Sequence, residues 1–350
     1  MLKKLFEKIK NWEAWPFALI YAPIYLWWGW YMLRSGAVWF FTPSNPKLTF
    51  GGMEGEPKRE MYDLLPKHLY PTTINILPTN TDAELIDAVK QAGIIYPFVV
   101  KPEVGGQGIL FRKIDTEKEL LHYHSLMKFE YIIQNMILYK MEVSVFHIRH
   151  PKEQKGIVTG FLHKIPLNVI GDGKTTLEEL ILAHPKADKF ATDMLVKHAA
   201  NLKNIVAVGE KYVLSYAANH NRGALFIDLK NEIDDKLVSI FDTLSIEIND
   251  FFYGRYDIMC NSVEDLKEGK NYLILEYNGC GAEPNHFYDT GYTLRGAHKE
   301  ILKHWKYLYQ ISKYNKEQGI KPWGFWRGYK LMKNTRKIFA EMRILDVKIG

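Results

Sequence analysis

The sequence has little cysteine: two residues, Cys260 and Cys280, in a chain of 350. That excludes a disulfide framework, and neither cysteine stands in a zinc-ligand spacing. A reduced, cytoplasmic compartment is the reading that follows. Charge of one sign is also missing in any quantity. The formal net charge is +6, and no basic stripe interleaved with aromatics runs through the middle, so nothing points to nucleic acid. No internal repeat or low-complexity tract is present, which excludes a solenoid. No small-residue cleavage site follows a compact apolar core, so a secretory leader is not expected. What remains is globular material, 47% hydrophobic and 25% charged, enough for two or three subdomains with cores of their own.

Aromatic residues are the excess, at 14% with nine tryptophans. Much of it lies near the N-terminus. Residues 1–10 set Leu2, Leu5, Phe6 and Ile9 against Lys3, Lys4, Lys8 and Lys10, a short basic amphipathic turn. Residues 15–33 are then 19 positions without a charge, long enough for one membrane span. Pro16, Pro23 and Gly29 weaken a straight helix, and tryptophan and tyrosine prefer the headgroup interface to the bilayer centre. A single span would hold the four lysines inside and send the rest of the chain out, which suits poorly a chain without disulfides. The preferred reading of residues 1–50 is a membrane-associating segment, monotopic or peripheral, that bends at Pro23 or Gly29 at the cytoplasmic face. A helix packed on the main domain is the alternative. Residues 311–350 read as a basic aromatic tail. There Trp323, Phe325, Trp326 and Tyr329 mix with Lys321, Arg327, Lys330 and Lys333, as in a surface helix or a segment drawn to anionic lipid.

Between these ends, helix and strand patterns alternate. Helices are expected at 58–65, 83–92 and 116–129, and strands at 98–101, 109–111, 131–134 and 142–148. The class is α+β. Gly171-Asp172-Gly173-Lys174-Thr175 mimics a phosphate-binding loop, but that motif needs glycine where Asn168 stands. A capping box opening a helix through residue 183 explains the stretch better.

Three groups of residues carry chemistry. Val99 and Val100 lead into Lys101 and Pro102, and Gly105, Gly106 and Gly108 follow. An ammonium beside a glycine flap suits a nucleotide polyphosphate, though a plain hairpin has the same outline. Farther on, Asp257 sits in one apolar strand, and Glu276 and Asn278 project from one face of another. Together they make a hard oxygen cluster of the kind that holds magnesium, unless the acids merely face water. Asn219-His220-Asn221-Arg222-Gly223 forms a polar knot. Its arginine can steady a transferring phosphoryl group, and a simple turn is the other reading.

Taken in order, residues 98–108, Glu142 with Ser144 and Val145, residues 219–223, 254–258 and 275–278 resemble the ATP-grasp superfamily. The likeness covers about residues 56–300. It is strongest to the carboxylate–amine ligase branch, of D-alanine–D-alanine ligase and cyanophycin synthetase type, and residues 171–181 are similar to a stretch of the cyanophycin type. The resemblance implies an ATP-grasp fold over residues 51–310, two α+β subdomains clasping ATP, with a lid at about 66–135. It implies that Lys58 and Lys101 bind phosphate under the flap of Gly105, Gly106 and Gly108. Gln134, Asn135 and Ile137 would meet adenine, and Glu142 would hold the ribose. Asp257, Glu276 and Asn278 would bind magnesium, or manganese in its place, and Arg222 with Lys101 would act on the transferring group. The partners implied are a carboxylate, small or lipid-linked, and an amine acceptor. A small-molecule kinase, or a non-catalytic ATP-binding module of the same fold, is the competing function. Two departures stand out. The larger N-terminal domain of the family is replaced by the aromatic segment, and Gly279-Cys280-Gly281-Ala282-Glu283-Pro284-Asn285-His286 replaces the loop that follows the metal strand in D-alanine ligases.

Overall fold

The computed structural model describes residues 11–349, so the basic turn read at residues 1–10 lies outside it. Two antiparallel sheets make the frame. The smaller is built from β1 (Thr73–Ile76), β2 (Phe98–Pro102), β3 (Arg112–Ile114) and β4 (Tyr131–Asn135), in the order β1-β4-β2-β3. Alternation along β2 buries Phe98 and Val100 under helices Asp82–Gln91 and Glu117–Leu126 and turns Val99 and Lys101 to the other side. Each helix starts where the sequence provides a cap. Thr81 and Glu84 form a reciprocal capping box, and Thr116 accepts from the Glu119 N–H. The strand expected at residues 109–111 is a correction. Gln107, Gly108 and Leu110 all have positive φ, so the glycine turn runs on and β3 begins at Arg112. Ile109 and Leu110 are apolar because they plug the lid core, not because they extend.

The larger sheet holds β5 (Met141–Ile148), β6 (Ile157–Ile165), β9 (Leu225–Asp228), β10 (Tyr253–Cys260) and β11 (Tyr272–Asn278), in the order β11-β10-β5-β6-β9. A two-stranded ribbon, β7 (Asn168–Ile170) and β8 (Lys211–Val213), lies between β6 and β9 in the chain. One face of the large sheet buries Val143, Val145, Tyr256, Ile258 and Ile274 against helix Asp235–Ile248. The opposite face carries the polar residues, because side chains alternate and opposed residues share a side. Asp257 pairs in register with Glu276 and with Ser144, Arg255 with Asn278, and Glu142 with Lys164. The decoy stretch behaves as expected, with Thr176 and Glu179 forming a capping box for helix Leu177–Ala183.

The first and last described segments are part of this body. Among the described residues no helix is long and apolar enough to cross a membrane. The segment expected to bend into a bilayer lies instead along helix Leu294–Glu317, as helices Phe17–Tyr21 and Tyr25–Ser35 joined by a turn at Pro23. Ile20, Tyr21 and Ile24 are buried. Trp28 meets Trp305 edge-on at 5.0 Å between centroids, and Tyr31 stacks on Tyr309 at 4.7 Å. The outer face stays apolar and uncovered, with Leu26 and Leu33 each 80% exposed beside Trp27 and Trp30. The tail boundary at residue 311 is also corrected, since it falls inside helix Leu294–Glu317. The last helix, Phe325–Ile349, packs Met342 and Leu345 into the lid core. Its Asp346 accepts from the Leu110 N–H at 2.9 Å and pairs with Arg112 at 2.9 Å.

Candidate active site

The lid and the large sheet enclose a cleft of about 1020 Å³, at the upper end of the range for small-molecule sites. Nearly every residue singled out in the sequence reaches it. Lys58, Lys101, Gly105, Gly106, Gly108, Gln134, Asn135 and Ile137 line the lid side and the hinge, and Glu142, Asp257, Glu276 and Asn278 line the sheet. They come together for separate local reasons. Lys58 opens helix Lys58–Leu64 after Pro57, and its ammonium donates to the Gly105 carbonyl at 3.2 Å, touching the flap. Lys101 reaches down from the exposed side of β2 toward the Tyr62 hydroxyl at 3.3 Å and the Leu275 carbonyl at 3.4 Å. Gln134 donates to Tyr62 Oη at 2.9 Å and to Thr73 Oγ1 at 2.7 Å, which braces the hinge side of the lid.

The sheet side is a charged network. Asp257 accepts from Arg255 at 3.2 Å, from Lys164 at 3.2 Å and from the Asn278 amide at 3.3 Å. Lys164 also contacts Glu142 at 2.5 Å. Burial alone would raise the Asp257 carboxyl, but Arg255 and Lys164 beside it outweigh that and hold it down at about 2. Glu142 is pushed up by burial, with Lys164 opposing. Burial lowers both Lys58 and Lys101, and in each case Glu276 is the strongest charge working the other way. Cations from one side and oxygen ligands from the other thus face a common space. Three oxygens from Asp257, Glu276 and Asn278 are a donor set for a hard divalent cation.

Arg222 is the exception. It does not line the cleft. Its guanidinium donates to the Gln107 carbonyl at 2.5 Å and pairs with Asp346 at 3.4 Å, so it ties the glycine flap to the last helix. The arginine that does face the metal-type residues is Arg255, which also donates to the Glu283 carbonyl at 3.2 Å. Sequence reasoning missed it although the signal was present: Arg255 and Asp257 are two apart on one strand, and so share a face by the same alternation that paired Glu276 with Asn278. Lys164 was missed as well, a lone lysine in an apolar strand brought opposite Glu142 by register.

Glu56, also in the cleft wall, was not anticipated. Part of it reaches the surface, but its Oε2 is enclosed without a hydrogen-bond partner, and burial pushes the carboxyl up to about 7. A raised carboxyl holds its proton in the folded state after the unfolded chain has released it. Its cost to stability is therefore absent below the unfolded value of about 4.3 and grows as pH rises toward about 7. Thermal unfolding of the nucleotide-free protein is expected to show a midpoint that falls between pH 5 and pH 7.5, and a smaller fall in Glu56→Gln. An identical pH dependence in the two proteins would contradict this.

No protein-family model matches the chain. Two curated proteins are similar over part of it. The bifunctional glutathione biosynthesis protein of Clostridium perfringens is 26% identical over 137 residues, 35% of this chain and 18% of that protein. Cyanophycin synthetase of Crocosphaera subtropica is 30% identical over 168 residues, 43% of this chain and 19% of that protein. The match thus spans less than a fifth of either relative's length. Among solved structures, the D-alanine–D-alanine ligase of Bacillus anthracis superposes with a TM-score of 0.43 at 12% identity, covering 75% of this chain and 69% of the ligase. The chain is similar to these proteins over part of its length, which agrees with the ATP-grasp resemblance of its sequence, and its own two-sheet frame with a lysine- and carboxylate-lined cleft is α+β.

Proposed function

We propose that the chain is an ATP-dependent, ADP-forming ligase that activates a substrate carboxylate and joins it to an amine. The observation that carries this is the opposition of Lys58 and Lys101 to Asp257, Glu276 and Asn278 across one cleft. In this reading the two lysines bind phosphate oxygens as point charges, and Gly105, Gly106 and Gly108 bring backbone N–H groups over them. Gln134, Asn135 and Ile137 border the base, and Glu142 accepts from the ribose. Asp257, Glu276 and Asn278 hold magnesium, which neutralises charge on the phosphates. Arg255, instead of Arg222, stands by the transferring phosphoryl group. A carboxylate oxygen of the substrate attacks the terminal phosphorus and the bond to ADP breaks. The amine then attacks the acyl carbon, phosphate leaves, and the amine gives up a proton.

Gly281, Ala282, Glu283 and Asn285 of the loop 279–286 line the cleft, and in this reading they border the second substrate. Glu283 there is pushed up by burial while Tyr21 and Tyr288 donate to it at 2.8 and 3.0 Å. A carboxylate so placed suits the ammonium of an amine substrate. The direct test is release of ADP and phosphate from ATP in the presence of candidate carboxylates and amines. ADP formation that requires both substrates supports ligation, while a phosphorylated product formed without an amine would select a kinase. Glu276→Gln, nearly isosteric, is expected to keep the fold and lower turnover by at least about a hundredfold by removing a metal ligand. Unchanged turnover would refute the assignment.

We also propose that this reaction takes place at the cytoplasmic face of a membrane, with the chain bound peripherally. Support comes from the uncovered row of Phe17, Leu26, Trp27, Trp30 and Leu33 and from exposed Phe325, Trp326 and Tyr329, with Arg34, Arg327 and Lys330 near them in sequence. Apolar and aromatic groups flanked by cations match an anionic lipid surface. The protein is expected to co-sediment with phosphatidylcholine vesicles containing phosphatidylserine. The triple variant Leu26→Gln, Trp27→Gln, Trp30→Gln should stay in the supernatant. A wild-type chain that does not sediment with such vesicles would contradict membrane attachment.

A further inference from the structure

Away from the cleft's oxygen cluster, on the same face of the large sheet, two buried histidines lack ordinary partners. His304 is 0% exposed and His286 5%. Both ring nitrogens of His286 and Nε2 of His304 make no hydrogen bond among the described residues. An imidazole always carries at least one N–H and, when neutral, one lone pair, so this is an uncommon concentration of unmatched polar atoms for a protein interior. A carboxylate completes the group. Glu300 and His304 are one turn apart on helix Leu294–Glu317 and share a face, and the ligand atoms of His286, Glu300 and His304 all lie within 4.8 Å of one another.

We propose that His286, Glu300 and His304 form a site for a divalent transition-metal ion of the zinc class. The distance from His286 Nε2 to Glu300 Oε2 is 3.7 Å, too long for a hydrogen bond. It is close to the separation of about 3.3–3.5 Å between two ligands that each stand about 2.0–2.2 Å from a tetrahedral zinc ion. The orientation of both rings agrees. His304 Nδ1 is 3.5 Å from the Tyr253 hydroxyl, an outer partner of the kind that fixes a ligating ring and leaves Nε2 for the metal. The Nδ1 edge of His286 lies against β6 at Gly160, where an added Cβ would come within 2.3 Å of it. That leaves Nε2 directed at Glu300. The Phe146 ring, edge-on to His304 at 4.4 Å, closes the apolar side. Glu300 retains 21% exposure and also pairs with Lys303 at 3.6 Å, so the carboxylate gives the ion a path from solvent and a fourth position for water.

Two nitrogens and one carboxylate differ in kind from the all-oxygen set in the cleft, so the two sites select different metals. Position gives the new site its consequence. His286 follows Asn285, whose amide is 3.4 Å from Ser144 Oγ on the cleft face of β5. A metal bridging His286 to helix Leu294–Glu317 would pin the end of the 279–286 loop that walls the cleft.

The test uses the full chain, stripped with chelator and titrated with zinc by calorimetry in excess magnesium, which occupies oxygen-only sites. One equivalent is expected to bind with a Kd below about 1 µM, and cobalt in its place should give the intense visible bands of four-coordinate geometry. His304→Gln should abolish this binding, and Glu300→Gln should weaken it at least about tenfold. His220→Gln alters the separate Glu13, His220 and Asp289 group and should change nothing. Absence of a stoichiometric site, or a site lost in His220→Gln but kept in the other two variants, overturns the proposal. If His304→Gln does not fold, the cobalt spectrum and the Glu300→Gln variant, at a partly exposed position, decide the matter. A wild-type spectrum without four-coordinate bands, or unweakened binding in Glu300→Gln, rejects the site.

Discussion

Two ammonium groups, on Lys58 and Lys101, are held where burial works against their charge, and the carboxylates that would balance them stand across a cleft on another sheet. A buried charge without a close partner is costly. The fold accepts that cost at two positions, which makes sense if a polyanion completes the arrangement. Much of the architecture serves this opposition. The lid helices bury one side of β2 so that Lys101 must emerge on the other, and the register of β10 against β11 and β5 sets Asp257 beside Glu276 and above Ser144. Asp257 is in turn kept ionised by Arg255 and Lys164, so the sheet presents fixed negative oxygens within a ring of cations.

How much of this was legible depends on the range of the cause. Local causes were readable. The alternation that exposes Lys101, the capping boxes and the shared face of Glu276 and Asn278 follow from neighbours a few residues apart. Arg255 obeyed the same rule and was simply not drawn from it. Distant causes were not readable. Arg222 looked like a phosphate-binding arginine because it lies in a polar knot, yet its direction is set by Asp346, 124 residues away. The return strand after the glycine turn was misplaced because Ile109 and Leu110 carry the apolarity of a strand while filling a core that includes Leu345.

The N-terminal segment shows the same limit at its largest. A run of 19 uncharged residues reads as a membrane element, since nothing local states what will cover it. Half of it is covered by partners such as Trp305 and Tyr309, far along the chain. The other half is left largely exposed among the described residues. Composition reported the total apolarity correctly and could not divide it between a protein face and an open face. The same holds for the last helix, whose aromatic start remains exposed while Met342 and Leu345 lock into the lid.

The proposed reaction depends on the two lysines meeting a nucleotide's phosphates, and calorimetric titration of ATP with magnesium into wild-type, Lys58→Met and Lys101→Met proteins tests that most directly. Methionine keeps the aliphatic stem and removes the charge, so each variant should remain folded with an unfolding midpoint no lower than wild type. Each should also bind ATP at least about tenfold more weakly, a loss of about 1.4 kcal/mol. Equal ATP affinity in wild type and both variants would contradict this, because the two half-buried ammoniums would then have no phosphate to meet.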